Sequence, residues 1–312
     1  MDIHDYMRVK RRLIDRALDF YLPGKLTYPR VIHEAMRYSV FSGGKRIRPI
    51  LCLASCEICR GREIDALPTA CGLELIHCYS LIHDDLPCMD DDDVRRGKPA
   101  THRKFGEAMA ILAGNGLLTF AFNLMTRGTH SQRQNTIVKE VTQAIGTFGM
   151  IGGQVVDLTR SNCLTKVSCR QTRNNGNEPA RLGYGTCPEY SFSKAQSDPN
   201  AEIYDTMNYI NMHKTGALMG VSMKAGAILA EGSKSTTELL SRIGQCLGMA
   251  YQIRDDILDN DGSARLLGKS YAKSNIEMLT RDIYKNLRNL GAKREILYQI
   301  AGFLLDTTGS PG

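Results

Sequence analysis

Between His77 and Arg96 the chain reads HCYSLIHDDLPCMDDDDVRR, which sets Asp84, Asp85, Asp90, Asp91, Asp92 and Asp93 within ten residues and follows them with Arg95 and Arg96. That much negative charge repels itself unless something cationic sits among it. His77, Ser80, Leu81 and Asp84 share one face of a straight helix, so the carboxylates crown a helix whose lower turns face apolar material. Pro87 cannot continue a helix interior, and the backbone is expected to loosen between Asp85 and Asp90 and carry the later carboxylates to the same mouth. Carboxylates at a helix end suit Mg²⁺, which takes hard oxygens and keeps waters for bridging to a phosphate. A solvated acidic loop or a calcium site is the alternative reading of this stretch alone.

A second acidic helix end lies downstream, in Tyr251-Gln252-Ile253-Arg254-Asp255-Asp256-Ile257-Leu258-Asp259. Asp255 and Asp259 are one turn apart on a face that Gln252 shares. Two such ends can face each other across a cavity and hold a metal cluster between them. Upstream, Gly43-Gly44-Lys45-Arg46-Ile47-Arg48-Pro49 is flexible at its start and then basic. Those are the properties a diphosphate-binding turn needs, close backbone approach followed by cations, although a basic surface turn has them too.

DDLPCMDDDD with RRGKPATH after it, and DDILD about 165 residues later, resembles the two aspartate-rich motifs of the trans-prenyltransferases, the isoprenyl diphosphate synthases. The two-residue insertion Leu86-Pro87 is similar to that of bacterial-type farnesyl diphosphate synthases. The resemblance runs in order from about Ala35 to Asp259. It implies an all-α fold, a bundle of mostly antiparallel helices around a deep central cavity. It also implies about three Mg²⁺ ions per site, acting as Lewis acids on a leaving diphosphate. Their ligands would come from Asp84, Asp85 and Asp90 in the first motif and Asp255, Asp256 and Asp259 in the second.

By the same resemblance Lys45, Arg48, His77 and Arg96 would hold isopentenyl diphosphate. Arg95, Lys214 and Lys269 would hold the allylic diphosphate. Gln154, in Gly152-Gly153-Gln154, and Asp157 would line the cavity near the reacting ends. Lys214 and Thr215 would turn their carbonyls to the developing cation at a helix kink, with Gln252 on the facing stripe. Product length would be set below the first aspartates. Tyr79, five residues before Asp84, is bulky enough to stop the growing tail early, and Ser80 is not. The expected product is farnesyl diphosphate, with geranylgeranyl diphosphate synthase as the alternative.

At 312 residues the chain is long enough to bury a real core, and it is expected to form a single domain over 1–312. A charged content of 23% is ordinary for a globular protein, and the net charge of +7 is not gathered into a tail. The charge therefore suits anionic small substrates better than nucleic acid. No secretory segment and no stretch long enough to cross a bilayer is read from the sequence, so stable membrane insertion is not expected. Ten cysteines scattered through helical stretches point to free thiols in a reducing cytosol, hence a cytoplasmic protein. A homodimer is implied by the resemblance.

Apolar residues recur at helical spacing over Val9–Tyr21, Pro29–Ser39, Ile50–Arg60, Leu67–Asp84, Ala108–Met125, Ile137–Met150 and Met207–Glu231, and no stretch demands a strand. About 160–200 the chain turns polar and loses any helical period, which reads as an insert loop of roughly 35 to 40 residues. Cys163, Cys169 and Cys187 within it lack zinc-like spacing. Three features depart from the family pattern. Only Gly268-Lys269 remains of a longer basic motif, Asn115 stands where an aspartate is common, and the FLLDTTGSPG tail lacks a terminal arginine. A non-catalytic partner subunit is therefore the rival of a different class. A terpene cyclase is disfavoured because it has no second diphosphate for Lys45, Arg48 and Arg96 to hold.

Overall fold

The computed structural model describes residues 2–127, 131–165 and 201–306. The described residues are helical nearly throughout: α1 Ile3–Tyr21, α2 Arg30–Val40, α3 Ile47–Ile58, α4 Glu63–Asp84, α5 Thr101–Phe105, α6 Glu107–Met125, α7 Ser131–Ile145 and α8 Met150–Thr165. After the residues outside the description come α9 Ala201–Ile210, a π-helical segment Asn211–Gly216, α10 Ala217–Leu229, α11 Lys234–Asp259, α12 Gly262–Leu267, α13 Lys269–Arg288 and α14 Glu295–Leu305. The all-α expectation holds.

One small element escaped the sequence. Val94–Arg95 (β1) and Lys98–Pro99 (β2) pair antiparallel across Arg96 and Gly97, both at positive φ (55° and 71°). Two consecutive residues in that region make the tight hairpin turn whose twist matches its strands. With only two residues per strand, no alternating pattern exists to be read.

Contacts group the chain into two compact units. The first comprises Met1–Thr142, Val221–Thr237 and Ala292–Ile300, and the second Gln143–Gly220, Glu238–Gly291 and Ala301–Gly312.

In the first unit α4 is the central element, packed on α6, α3, α2 and α1. Leu73, Leu75 and Ile76 are fully buried, and each such side chain contributes about 1.5–3 kcal/mol of transfer free energy. Glu63 and Asp65 in its first turn complement the helix macrodipole. Helix α1 is tied to the ends of α3 and α4 by Lys10, which sits between Glu57 and Glu63 (2.6 Å to Glu63), while the Tyr6 hydroxyl donates to Glu57 at 2.9 Å. α6 is 19 residues long and meets the length and composition of a bilayer span, where the sequence reading found no such stretch. Its Ala113, Leu117, Ala121 and Leu124 are buried in the first unit, the use a globular core makes of an apolar helix.

In the second unit α8 packs on α9 and on the π-helical segment, and α12 packs on α13 and α9. α11 crosses the start of α10 at two glycines: a Cβ on Gly248 would lie 2.7 Å from Gly216 Cα, so backbone meets backbone there. The expected insert is helical as far as Thr165, the end of α8. The rest of that expectation, and the one about the tail beyond residue 306, lies outside the described residues.

Candidate active site

Within the first unit, α4 carries His77, Tyr79, Ser80 and Asp84 and ends at Asp84. The loop then turns back on the helix end. Met89 N–H donates to Leu86 O at 2.8 Å, Asp91 N–H to Leu86 O at 3.1 Å, and Asp90 N–H to Asp84 O at 2.8 Å. The fold-back expected from Pro87 is thus present, and it sets Asp90 beside Asp84.

Asp85 departs from the expected ligand geometry. It is buried, and its Oδ1 accepts from Arg95 Nε at 2.8 Å and Nη2 at 2.5 Å, while Arg95 Nη2 also reaches Asp92 Oδ2 at 2.9 Å. Burial pushes the Asp85 carboxyl above the usual carboxylate range, and Arg95 pulls against it. Arg95, expected on the allylic diphosphate, is bonded here to the aspartates of its own motif. Asp93 is also engaged, with its carbonyl accepting from Ala100 N–H at 2.8 Å and its carboxylate 3.1 Å from Arg103 Nε.

The basic turn and the arginine of the hairpin come together. Gly43 and Gly44 adopt φ of 117° and 119°, open only to glycine, and a Cβ on Gly44 would stand 2.8 Å from the Arg96 guanidinium. Arg96 Nη1 donates to Gly43 O across this contact. Lys45 is exposed and Arg48 half-buried. His77 lies within their field: burial first, then Arg48 and Arg96, hold its imidazolium well below the usual histidine range, so the ring is neutral. The sequence grouping of Arg48, His77 and Arg96 is therefore a spatial grouping.

Tyr79 is buried, with its ring edge-on to His83 at 5.7 Å and its hydroxyl pushed up to about 12 by burial and the Asp84 charge. Ser80 turns its hydroxyl back to His77 O at 3.0 Å. A small cavity beside these residues is lined in part by Tyr38, Ser42, Leu81, Asp85, Arg95 and Arg96. Tyr38, whose hydroxyl donates to Pro99 O at 2.8 Å and so holds the hairpin on α2, was not singled out from the sequence. Neither was His102, a buried ring whose two nitrogens lack a hydrogen-bond partner and which lies 4.0 Å from Asp93. Its position inside RRGKPATH was the available signal.

Within the second unit the expected kink is a π-helical segment, Asn211–Gly216, which carries Lys214 and Thr215. Gly153 lets α8 reach it: a Cβ there would lie 2.5 Å from Lys214 N. Lys214 Nζ is 2.7 Å from Asp157 Oδ2, one helical turn beyond Gln154. Both polar atoms of the Gln154 amide are buried without a hydrogen-bond partner, an orphaned group at a position expected to meet substrate.

A polar chain continues on α11. The Thr215 hydroxyl donates to Gln252 Oε1 at 2.9 Å, and Gln252 Nε2 donates to Asp256 Oδ1 at 3.0 Å. Ser263 N–H donates to Asp256 Oδ2 at 2.8 Å, and Asn211 Nδ2 to Ser263 Oγ at 3.1 Å. Asp256, expected as a metal ligand, is buried and has both oxygens engaged, Oδ1 by Gln252 and Oδ2 by Ser263 at the start of α12, and burial raises its pKa. Asp255 is half-buried, 3.7 Å from Arg254 Nη1, and Asp259 is exposed. Lys269 opens α13 and is exposed, as is Asn115 on α6. Asn211 and Ser263 were missed because nothing local distinguishes them.

Among the described residues no three carboxylate, histidine or thiol side chains form a preformed metal cage. The polyprenyl synthetase family profile matches residues 29–302. The chain belongs to the polyprenyl synthetase family. This prenyltransferase family uses a divalent metal to bind diphosphate.

The chain is similar to a heterodimeric geranylgeranyl pyrophosphate synthase large subunit from Arabidopsis thaliana, 40% identical over 94% of this chain and 70% of that protein. Geranylgeranyl pyrophosphate synthase 4 from the same plant is 41% identical over 88% of this chain and 64% of its own length. Among solved structures, an FPP/GFPP synthase from Zymomonas mobilis matches with a TM-score of 0.80 and 30% identity, covering 97% of this chain and 99% of that one. The family match runs through both compact units.

Proposed function

We propose that this polyprenyl synthetase condenses isopentenyl diphosphate with dimethylallyl or geranyl diphosphate, head to tail and with magnesium, to give farnesyl diphosphate. The observation that carries this reading is the meeting of Arg96 with the Gly43–Gly44 turn, with neutral His77 in the field of Arg48 and Arg96. A cationic group of that kind suits a second diphosphate, for which a cyclase has no use.

Mg²⁺ takes one or two carboxylates and completes its shell with water and phosphate oxygens, so the Asp84–Asp90 fold-back suits it without a preformed cage. Asp255 and Asp259 are the donors on α11, and Asp85 and Asp256, committed to Arg95 and to Gln252 with Ser263, serve as supports. Bound magnesium, about three ions in the family pattern, supplies Lewis-acid stabilisation of the leaving diphosphate.

Lys45, Arg48, Arg96 and His77 hold isopentenyl diphosphate, and a neutral His77 donates a hydrogen bond without adding charge. Lys214 and Arg95 serve the allylic diphosphate by exchanging Asp157 and Asp85 for phosphate oxygens, with Lys269 as a further cation. The carbonyls of the π-helical segment and the orphaned Gln154 amide are the groups proposed to stabilise the cation left when the allylic carbon loses its diphosphate. The isopentenyl double bond then forms the new carbon–carbon bond, and a proton is lost to the released diphosphate.

Tyr79, buried five residues before Asp84, supports the fifteen-carbon product. The names of the curated relatives favour a second reading, geranylgeranyl diphosphate. Incubation with labelled isopentenyl diphosphate and each allylic diphosphate, with and without Mg²⁺, decides between them by chain length. No product from folded protein would select the partner-subunit reading, and a cyclic hydrocarbon the cyclase.

The exposed apolar side chains Phe148, Ile151 and Val155 favour a homodimer, which light scattering would test. The free thiols of Cys52, Cys56, Cys71, Cys78 and Cys88 fit a reducing compartment such as the cytosol.

A further inference from the structure

Arg46 lies between two residues assigned above to isopentenyl diphosphate, yet it points the other way. Its side chain is 2% exposed, and each guanidinium nitrogen is used: Nε donates to Asp15 Oδ1 at 2.8 Å, Nη1 to Glu74 Oε1 at 2.8 Å, and Nη2 to Val40 O at 2.6 Å. The three acceptors belong to α1, α4 and the last residue of α2. Glu74 is as buried as Arg46, and it stands on α4 one turn before His77.

The backbone at Arg46 is equally unusual. It is the N-cap of α3 at φ 55°, ψ 37°, a left-handed conformation that a residue with a Cβ adopts only when its surroundings impose it. With Gly43 and Gly44 also at positive φ, residues in that region flank Lys45 on both sides. Ile50 N–H donates to Arg46 O at 3.1 Å, so the same residue starts the helix that carries Arg48. Burial follows accordingly: Lys45 is exposed, Arg46 and Ile47 are buried, and Arg48 is half-buried.

We infer that Arg46 is a positioning residue for isopentenyl diphosphate. It bolts the Gly43–Arg46 turn to three helices through a planar fork with three fixed acceptors, and that anchorage presents Lys45 and Arg48 to the diphosphate and keeps Gly43 O under Arg96. Lysine, a point charge, cannot satisfy three acceptors in that geometry. The inference rests on the condensation reading above and adds to it a residue that never touches substrate.

The test is steady-state kinetics on wild type, Arg46→Lys and the milder Asp15→Asn, which removes one charged acceptor at a half-exposed position and keeps the fold if Arg46→Lys does not. Expected for Arg46→Lys is a KM for isopentenyl diphosphate about tenfold higher, with KM for geranyl diphosphate within about twofold and kcat within about threefold. Asp15→Asn is expected to shift the first KM by about threefold in the same direction. A variant that melts lower and loses active fraction while both KM values stay at wild type overturns the inference, because that is the signature of stability alone. Calorimetric titration with inorganic diphosphate keeps the two readings apart. If wild type makes no condensation product, the proposed function fails. Equal diphosphate affinity in wild type and Arg46→Lys would then overturn the positioning role as well, and weaker binding in the variant would uphold it.

Discussion

The hydroxyl of Thr215 donates to Gln252 Oε1 at 2.9 Å, and the other end of the same amide donates to Asp256 at 3.0 Å. Gln252 thereby links the π-helical segment to the carboxylate that secures α12. Gln252→Leu leaves a buried hydroxyl and a buried carboxylate each short of a partner, at a cost of about 1–3 kcal/mol. Urea unfolding is expected to show that loss, and kcat to fall at least tenfold. Thr215→Val, which spares the Asp256 contact, is expected to cost about 1 kcal/mol.

Gly153 is where α8 approaches Lys214. An added Cβ would stand 2.5 Å from Lys214 N and 3.0 Å from His213 C, backbone atoms that cannot rotate away. Gly153→Ala is expected to displace the π-helical segment and destabilise by about 1–3 kcal/mol. The paired measurements are thermal unfolding and KM for the allylic substrate, which rises if Lys214 moves.

Tyr79 is 6% exposed and packs edge-on to His83. Truncation to Ala opens a cavity and costs about 3–5 kcal/mol, whereas Tyr79→Met refills most of the space at under about 1.5 kcal/mol. Methionine is flexible, so the expected result is a shift from fifteen-carbon to twenty-carbon product, read by chromatography of the dephosphorylated alcohols. Unchanged chain length in both variants would remove Tyr79 as the floor.

His77 is held well below its ordinary value because desolvation, and then the charges of Arg48 and Arg96, disfavour its imidazolium. A group depressed in the folded state contributes stability above its unfolded pKa of about 6.5 and loses it as pH falls. Wild type should therefore lose stability relative to His77→Gln below about pH 6.5, by up to about 1 kcal/mol per pH unit. Chemical denaturation of both proteins at pH 7.5, 6.5 and 5.5 (roughly spanning that pKa) checks the sign. Parallel curves would mean that His77 is not held neutral.

Many of the helices were legible because apolar residues repeat at helical spacing along them, as in α1 and α2. The run expected over Ile137–Met150 is broken at Ile145 and resumes at Met150, across a Gly146–Gly149 turn closed by a 2.9 Å backbone bond. The hairpin at Arg96-Gly97 was not legible, since its left-handed arginine is set by contacts with Gly43 on a segment 53 residues away.

Residue types and their spacing marked out the acidic helix ends and the basic turn, because these are properties of short windows of chain, and the resemblance those motifs carry pointed to the family. Only the tertiary structure decided which charges are spoken for. Asp85 belongs to Arg95, Asp157 to Lys214, Asp256 to Ser263 and Gln252, and Arg46 to Asp15 and Glu74. The Lys214–Asp157 and Arg46 pairings join segments far apart in sequence, and the Asp85 and Asp256 pairings depend on how a turn folds back on its helix, so in each case a charge buried by folding finds its partner where the packing brings one.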